Sequence, residues 1–388
     1  MSKKVLFSTT VPQSANNFLR GQLGFLRENG IQPVVVSSPG PALEELHQRE
    51  RVAICPLPMA REISLGKDLV SLWRWIKLLR RLRPHAVAVG TPKAALLALT
   101  SSTLRRIPER TYIVHGLRYE SEQGAKRRLL IAMERVSCRL ATSIVVVSHS
   151  VGVKLHADAI TRKPFTLIAS GTANGIDTQR WSTSMSHNES VSIRTELGIT
   201  ESSFVAIYVG RLTADKGLET LREFAKIASE HIPDFKLLVV GATESREELA
   251  ALEALGDVVI LTGEVRDVAP YYAASDCLVL PSRREGFGMV VLEAAMAGVP
   301  TIASRVTGLV DAVVDGETGF LLPQGDPAAF ANKAVELSLD RKLLRSLGEN
   351  ARKRAISEFA SKRVWGGMLK HYLHPGVESD EVRIYPSA

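Results

Sequence analysis

The chain has 388 residues, 45% hydrophobic and 23% charged, with a formal charge of +8. At roughly 100–200 residues per domain this length implies two domains or at most three, and the composition excludes disorder and collagen-like repeats. No window approaches the roughly 18 uncharged apolar residues of a spanning helix, and the best stretch, residues 86–98, is broken by Lys93. Behind Lys3 and Lys4 stand only Val5, Leu6 and Phe7, far short of a signal peptide's apolar region. Cys55, Cys138 and Cys277 are widely spaced and indicate neither a disulfide framework nor a zinc site. The expectation is a cytoplasmic, two-domain, metal-independent protein.

Short apolar runs at residues 5–7, 34–36, 86–89, 112–114 and 144–147 alternate with longer amphipathic stretches. Near-continuous apolar strands followed by helices predict a parallel sheet covered on both faces. The pattern lapses through residues 171–200, rich in Ser, Thr, Asn and Gly, which read as a linker. Runs at 205–209, 237–240, 258–261, 277–280 and 301–303 then predict a second parallel α/β unit. The expected division is 1–170, linker 171–200, 201–358, and 359–388 as a helix crossing back followed by a loose tail. Ligands of such sheets sit at the carboxyl ends of the strands.

Charge is split between the halves, with a net of +15 over residues 1–165 and −7 over 166–388. Arg74, Lys77, Arg80, Arg81 and Arg83 are interleaved with Trp73, Trp75, Ile76, Leu78, Leu79 and Leu82. Arg105, Arg106, Lys126, Arg127 and Arg128 add two further clusters. The mixture suits an amphipathic helix on an anionic membrane surface. A core-packing helix with a solvated basic face is the plainer reading. Nucleic acid is disfavoured, because no helix-turn-helix, zinc-finger or RNA-recognition pattern accompanies the charge.

Residues 281–289 read Pro-Ser-Arg-Arg-Glu-Gly-Phe-Gly-Met, directly after a strand and before an apolar helical segment. A glycine-containing loop that opens a helix offers free N–H groups and a positive dipole end to phosphate. Glu285 and Glu293 are eight helical steps apart, which leaves them about 80° apart around the axis and up to about 12 Å along it. With a diphosphate between them, one could meet a sugar and the other a ribose; surface glutamates on an ordinary strand–turn–helix are the alternative. Arg211 and Lys216 lie in the loop leaving the first strand of the second unit, where two cations can offset a diphosphate. His115 ends a first-unit strand and could donate to a substrate hydroxyl or phosphate, or serve as a satisfied structural histidine. No D-x-D triplet, G-x-S-x-G, H-E-x-x-H or C-x-x-C occurs.

Taken together, Gly210-Arg211-Leu212-x(3)-Lys216-Gly217, Gly263-Glu264-Val265, the Ser282–Glu285–Gly286–Gly288–Glu293 stretch, Ala297-Gly298-Val299-Pro300 and Asp315-Gly316-x-x-Gly319 resemble family 4 retaining glycosyltransferases of the GT-B fold. The resemblance is strong from residue 205 to 326 and looser before 171. It implies two Rossmann-like doubly wound α/β domains facing across a cleft, with a nucleotide-sugar co-substrate, UDP-linked in the resembling group, and no metal or other cofactor. It assigns Arg211 and Lys216 to the donor diphosphate, Glu293 to the ribose and Glu285 to the donor sugar. Backbone at Gly286, Phe287, Gly288 and Met289 would face the sugar and phosphates, and Val265 the base. His115 matches the histidine beside the transferring sugar, so His115 and Glu285 stand as the catalytic candidates.

Many family members carry a glycine-rich loop after the first strand. Residues 9–17 here hold no glycine, which reads as a polar loop suited to acceptor contacts through Thr10, Gln13 and Asn16, with Arg118 beyond His115. The segment 115–120 and the basic first half resemble members that extend lipid-linked saccharides for capsule, O-antigen or exopolysaccharide. A hexose or N-acetylhexosamine would then pass to a lipid-diphosphate-linked saccharide, the enzyme sitting peripherally on the inner membrane face. Transfer to a soluble sugar phosphate, or a nucleotide-sugar enzyme such as an epimerase, are the rival readings.

Overall fold

The computed structural model describes residues 2–60, 64–183, 187–243 and 245–386. The chain forms two compact units, one of residues 1–175 with 361–388 and one of residues 176–360.

Unit 1 alternates strand and helix almost throughout. It runs β1 (Lys3–Ser8), α1 (Pro12–Phe18), α2 (Gln22–Glu28), β2 (Ile31–Ser37), α3 (Pro41–Glu50), β3 (Ala53–Pro56) and α4 (Leu65–Leu82). Then come β4 (Ala86–Val89), α5 (Pro92–Leu104), β5 (Glu109–Val114), α6 (Gly124–Leu140), β6 (Ser143–Val146), α7 (His149–Ala157) and β7 (Phe165–Ile168). Unit 2 opens with α8 (Thr178–Thr183), α9 (His187–Glu196), β8 (Phe204–Val209), α10 (Leu218–His231), β9 (Phe235–Val240), α11 (Arg246–Glu253) and β10 (Val259–Gly263). It continues through α12 (Ala269–Ala273), β11 (Cys277–Leu280), α13 (Met289–Met296), β12 (Thr301–Ser304), α14 (Leu309–Ala312), β13 (Gly319–Leu322), α15 (Pro327–Leu339) and α16 (Arg341–Phe359). The chain returns to unit 1 with α17 (Ser361–Leu373) and β14 (Val382–Tyr385).

The unit 1 sheet has the order β14-β7-β6-β5-β4-β1-β2-β3, and the unit 2 sheet β10-β9-β8-β11-β12-β13. All pairings are parallel except that of β14 with β7. Both are doubly wound Rossmann-like sheets, and their central strands are buried along their length, as in β4, β8 and β11. Helices cover both faces of such a sheet, which is why these strands are apolar at every position rather than at alternate ones.

Four expectations change. Residues 171–200 are not an extended linker, since α8 and α9 occupy most of the stretch and α9 packs on α12. The tail is not loose: β14 adds an antiparallel strand, and its pairs Val382 with Ile168 and Tyr385 with Phe165 close the sheet edge. Residues 12–18 form a helix, because Pro12 at its first turn has φ already set and no N–H to satisfy. Finally, α4 divides between the two readings given to it. Trp75, Leu78 and Leu79 are core residues, while Leu69, Val70 and Trp73 are exposed beside the basic side chains.

In the unit 1 core, Tyr112 Oη donates to Glu134 Oε2 at 2.7 Å, and the Glu134 side chain is buried on the inner side of α6. Burial pushes this carboxyl up to about 7, against a partial opposing effect of the Tyr112 hydrogen bond. The folded state therefore holds a proton that the unfolded chain, titrating near 4.5, has already lost. Stability from this group falls as pH rises between those two values and is level above them. The Glu134→Gln variant keeps an acceptor for Tyr112 and removes the titration. Its stability relative to wild type should grow with pH across that window, as read by urea unfolding at a series of pH values. A difference independent of pH would contradict the assignment.

Candidate functional site

In unit 2 the strand order reverses between β8 and β11. Loops leaving two such neighbouring strands diverge to opposite faces and leave a crevice at their carboxyl ends. Those loops are residues 210–217 and 281–288, and they touch. Gly217 has φ of +74°, and a Cβ there would lie 2.0 Å from the carbonyl oxygen of Pro281. The Arg283 backbone N–H donates to the Asp215 carbonyl at 2.9 Å, and Arg284 pairs with the Asp215 carboxylate at 2.8 Å. Lys216 Nζ meets Glu285 Oε1 at 2.5 Å. The same oxygen accepts from Ser282 Oγ at 2.9 Å.

Two predicted donor residues, Lys216 and Glu285, are thus in direct contact. Burial raises the Asp215 carboxyl, but the Thr213 hydroxyl and the charges of Arg284, Lys216 and Arg211 outweigh it and hold the group below the usual carboxylate range. Arg211 is exposed at the start of the first loop, and its carbonyl accepts from the buried Tyr208 hydroxyl at 3.0 Å. In the second loop, Phe287 turns its ring inward against Phe359, with centroids 5.2 Å apart. Gly288, with φ of +86°, caps α13 where a Cβ would strike Leu309 at 2.7 Å. Gly286 stands on the other side of Phe287, and Met289 begins the helix.

Glu293 sits on α13 in a recess lined by Arg180, Trp181, Arg266, Asp267, Val268 and Ala269. Tyr272 Oη donates to Glu293 Oε2 at 3.2 Å. Burial raises the Glu293 carboxyl above its ordinary value, and the Tyr272 hydrogen bond and the Arg180 charge oppose the rise without cancelling it. Val265 is half-buried in the loop after β10, directly before Arg266.

In unit 1, His115 follows β5 with its ring stacked on Phe18, centroids 4.2 Å apart and planes 15° from parallel. Its Nε2 lies only 2.7 Å from where a Cβ on Gly90 would be, so glycine after β4 is what lets the ring sit there. Burial lowers the His115 imidazole to about 4, and its Nδ1 has no protein partner. It is neutral at ordinary pH. Thr10 is buried, and its hydroxyl is engaged by the Thr91 hydroxyl at 2.8 Å and the Ala94 N–H at 3.3 Å. It clasps the β1 and β4 loops together rather than standing open. Asn16 is tied to α3, accepting from Arg49 at 2.6 Å and donating to Glu45 at 3.2 Å. Gln13 and Arg118 are exposed. Of the four acceptor candidates, the structure leaves these last two open to solvent. Among the described residues no group of three or more His, Cys, Asp or Glu side chains is placed to hold a metal ion.

Sequence reasoning missed Asp215, Ser282, Tyr272, Arg180 and Phe18. The first two lie inside quoted motifs and were findable as neighbours of Lys216 and Glu285. The other three are brought in by packing alone.

Two Rossmann-like units, with a cation-bearing loop and a glutamate-bearing loop meeting at a switch point in the second, have the architecture of the GT-B fold. The sequence pattern of glycosyl transferases group 1 matches residues 190–354, and that of Glycosyltransferase Family 4 matches residues 15–180. The chain is 34% identical to the capsular polysaccharide biosynthesis glycosyltransferase CapM of Staphylococcus aureus, over 96% of this chain and 97% of that one. It is 27% identical to the UDP-Gal:alpha-D-GlcNAc-diphosphoundecaprenol alpha-1,3-galactosyltransferase of Escherichia coli, over 84% of each chain. The fold matches that of Alr3699/HepE of Anabaena, solved with UDP and glucose, at a TM-score of 0.77 and 19% identity over 95% of this chain and 98% of that chain. The chain belongs to glycosyltransferase family 4.

The contact between the loops gives a direct expectation. Gly217→Ala places a side chain in a left-handed conformation, a cost of about 1–3 kcal/mol, and pushes it into the Pro281 carbonyl. Its melting temperature should fall by several degrees in calorimetry. A value equal to wild type would contradict the close approach.

Proposed function

We propose that the protein is a retaining glycosyltransferase that moves a hexose or N-acetylhexosamine from a UDP-linked donor to a lipid-diphosphate-linked saccharide, without a metal ion. The observation that carries this reading is the contact of Lys216 with Glu285 at the opening of α13. An ammonium beside a helix N-terminus suits a diphosphate, and an adjacent carboxylate suits sugar hydroxyls. The printed name of the Escherichia coli relative, with a UDP-linked donor and a diphosphoundecaprenol acceptor, supports the same pairing.

In this reading Arg211 and Lys216 hold the diphosphate, Glu285 the sugar, and Glu293 the ribose. The backbone of Gly286, Phe287, Gly288 and Met289 faces the sugar and phosphates, and Val265 the base. The bond from the sugar's anomeric carbon to the diphosphate breaks, and the acceptor oxygen bonds that carbon on the same face. The acceptor's proton passes to the departing phosphate oxygen, so nucleoside diphosphate and glycoside are the products. Neutral His115 would serve a hydroxyl of the transferred sugar, and Gln13 and Arg118 the acceptor.

A membrane-bound acceptor requires the enzyme to reach a bilayer surface, and the helices on one side of unit 1 support such docking. There α5 lies between α4 and α6. On α4, Leu69, Val70 and Trp73 are exposed, with Lys77 Nζ 3.5 Å from the Trp73 ring centre. On α6, Leu129 and Val136 alternate with exposed Arg128, Arg135 and Arg139. The exposed end of α5 adds Leu104 before Arg105 and Arg106. Each basic residue near an anionic leaflet contributes about 1 kcal/mol, weakened by salt. Among the described residues no helix is long and apolar enough to cross a membrane, so attachment would be peripheral.

Lys216→Ala should lower kcat/KM for the donor by roughly 10- to 100-fold, since one charge-assisted contact is worth about 1.5–3 kcal/mol. Glu293→Ala should weaken binding of free UDP, whereas Glu285→Ala should depress turnover and spare UDP affinity. Equal losses of UDP affinity would contradict the separate roles. Turnover should persist in excess EDTA; its loss, restored by Mn²⁺ or Mg²⁺, would overturn the metal-free reading. Finally, the protein should co-sediment with anionic vesicles at low salt and release at high salt. Reversing Arg74, Lys77, Arg80 and Arg81 to Glu should abolish sedimentation and lipid-acceptor turnover. Turnover untouched by that change would favour a soluble sugar-phosphate acceptor.

A further inference from the structure

We infer that Tyr272 and Arg180 are positioning residues for the nucleoside, holding the Glu293 carboxylate in place for the hydroxyls of the donor's ribose. The inference rests on the assignment of Glu293 to the ribose and goes beyond it, because neither residue belongs to the motifs that carry that assignment.

Tyr272 is the fourth residue of the short helix α12, and its side chain is fully buried. A fully buried phenol needs a partner for its hydroxyl. This one donates toward two acceptors on α13, Glu293 Oε2 at 3.2 Å and the Val290 carbonyl at 3.3 Å. It therefore fixes the carboxylate against the helix that carries it. Trp181 of α8 packs on the Tyr272 ring, centroids 6.0 Å apart, and helps to hold that ring in place. Arg180, the preceding residue, lines the same recess as Glu293.

The charged and titratable groups facing Glu293 are Arg180 from α8, Tyr272 from α12, and Arg266 and Asp267 from the loop before α12. Burial disfavours the ionised carboxylate, and Asp267 adds to that; the Tyr272 hydroxyl and the Arg180 charge work the other way. An ionised carboxylate accepts from two ribose hydroxyls at once, whereas a protonated one does so poorly. The segment carrying Arg180 and Trp181 thus completes a nucleoside recess in unit 2 and is more than a connection.

The test compares binding of UDP with that of its 2′,3′-dideoxy analogue by calorimetry, since only the ribose hydroxyls differ. Wild type should prefer UDP by about tenfold or more, the equivalent of one good hydrogen bond to a charged group. Tyr272→Phe, which keeps the ring and its packing, should reduce that preference several-fold while leaving affinity for the dideoxy analogue unchanged. The preference should also decline as pH falls through the Glu293 titration, and Arg180→Gln should move the decline to higher pH. The phosphate's own titration cancels in the ratio. A Tyr272→Phe variant that retains the full preference, or that loses affinity for both nucleotides equally, overturns the positioning role. If Glu293→Gln also leaves the preference intact, the ribose assignment itself fails, and this inference with it.

Discussion

The carbonyl of Pro281 passes so close to Gly217 that no side chain fits between them, and the carboxyl end of the unit 2 sheet is organised around that contact. It brings two loops from neighbouring parallel strands together where the winding of the sheet would otherwise send them apart. Two ion pairs then cross the same seam, Lys216 with Glu285 and Arg284 with Asp215. Neither pair is fully buried, so each contributes less to stability than to geometry. Their effect is to hold an ammonium and a carboxylate in fixed places before any ligand arrives. Under the proposed assignment, a diphosphate at Lys216 would share a cation already engaged by Glu285, which would tie its arrival to the freedom of that carboxylate.

Burial governs the charge of the functional groups as much as neighbours do. His115 is kept neutral by enclosure against Phe18 and the Gly90 backbone, which leaves an imidazole able to donate from one nitrogen and accept at the other. Glu293 is pressed toward its neutral form by the same effect, and its polar neighbours counter it. Glu134 shows what happens with only one such neighbour: a core carboxyl that titrates near neutrality. Asp215 is both less deeply buried and flanked by several donors and cations, and it is held low.

The central strands of both sheets were legible because burial on both faces demands uninterrupted apolar runs, as in β4 and β8. The strands that escaped are β3, β7, β13 and β14, four residues each. β4 and β11 are equally short. What differs is that β3, β13 and β14 lack a continuous buried run and Thr166 interrupts the apolar run of β7, while Pro56 in β3 and Gly319 in β13 argue locally against a strand. The placement of Lys216 and Glu285 was legible because their loops follow strands and open helices, and that of Glu293 because it lies on the helix so opened, whereas Tyr272 and Arg180 reach Glu293 only through tertiary packing. Thr10 and Asn16, expected as acceptor contacts, are found engaged within unit 1 for a related reason. A polar stretch reads as open to substrate until the structure shows neighbouring helices already using its hydrogen bonds.

Unit 1 is assembled from two separated pieces of chain, and the second, residues 361–388, follows all of unit 2. Trp365 Nε1 donates to Asn174 at 2.8 Å, Lys3 reaches the Tyr372 carbonyl, and β14 covers the free edge of β7. During synthesis the sheet begun by β1 must therefore wait, its β7 edge unpaired, until the residues of β14 have been made. Unit 2 is contiguous and needs no such delay. Unit 1 is begun before unit 2 and completed after it, and for that interval its open β7 edge needs protection from other strands.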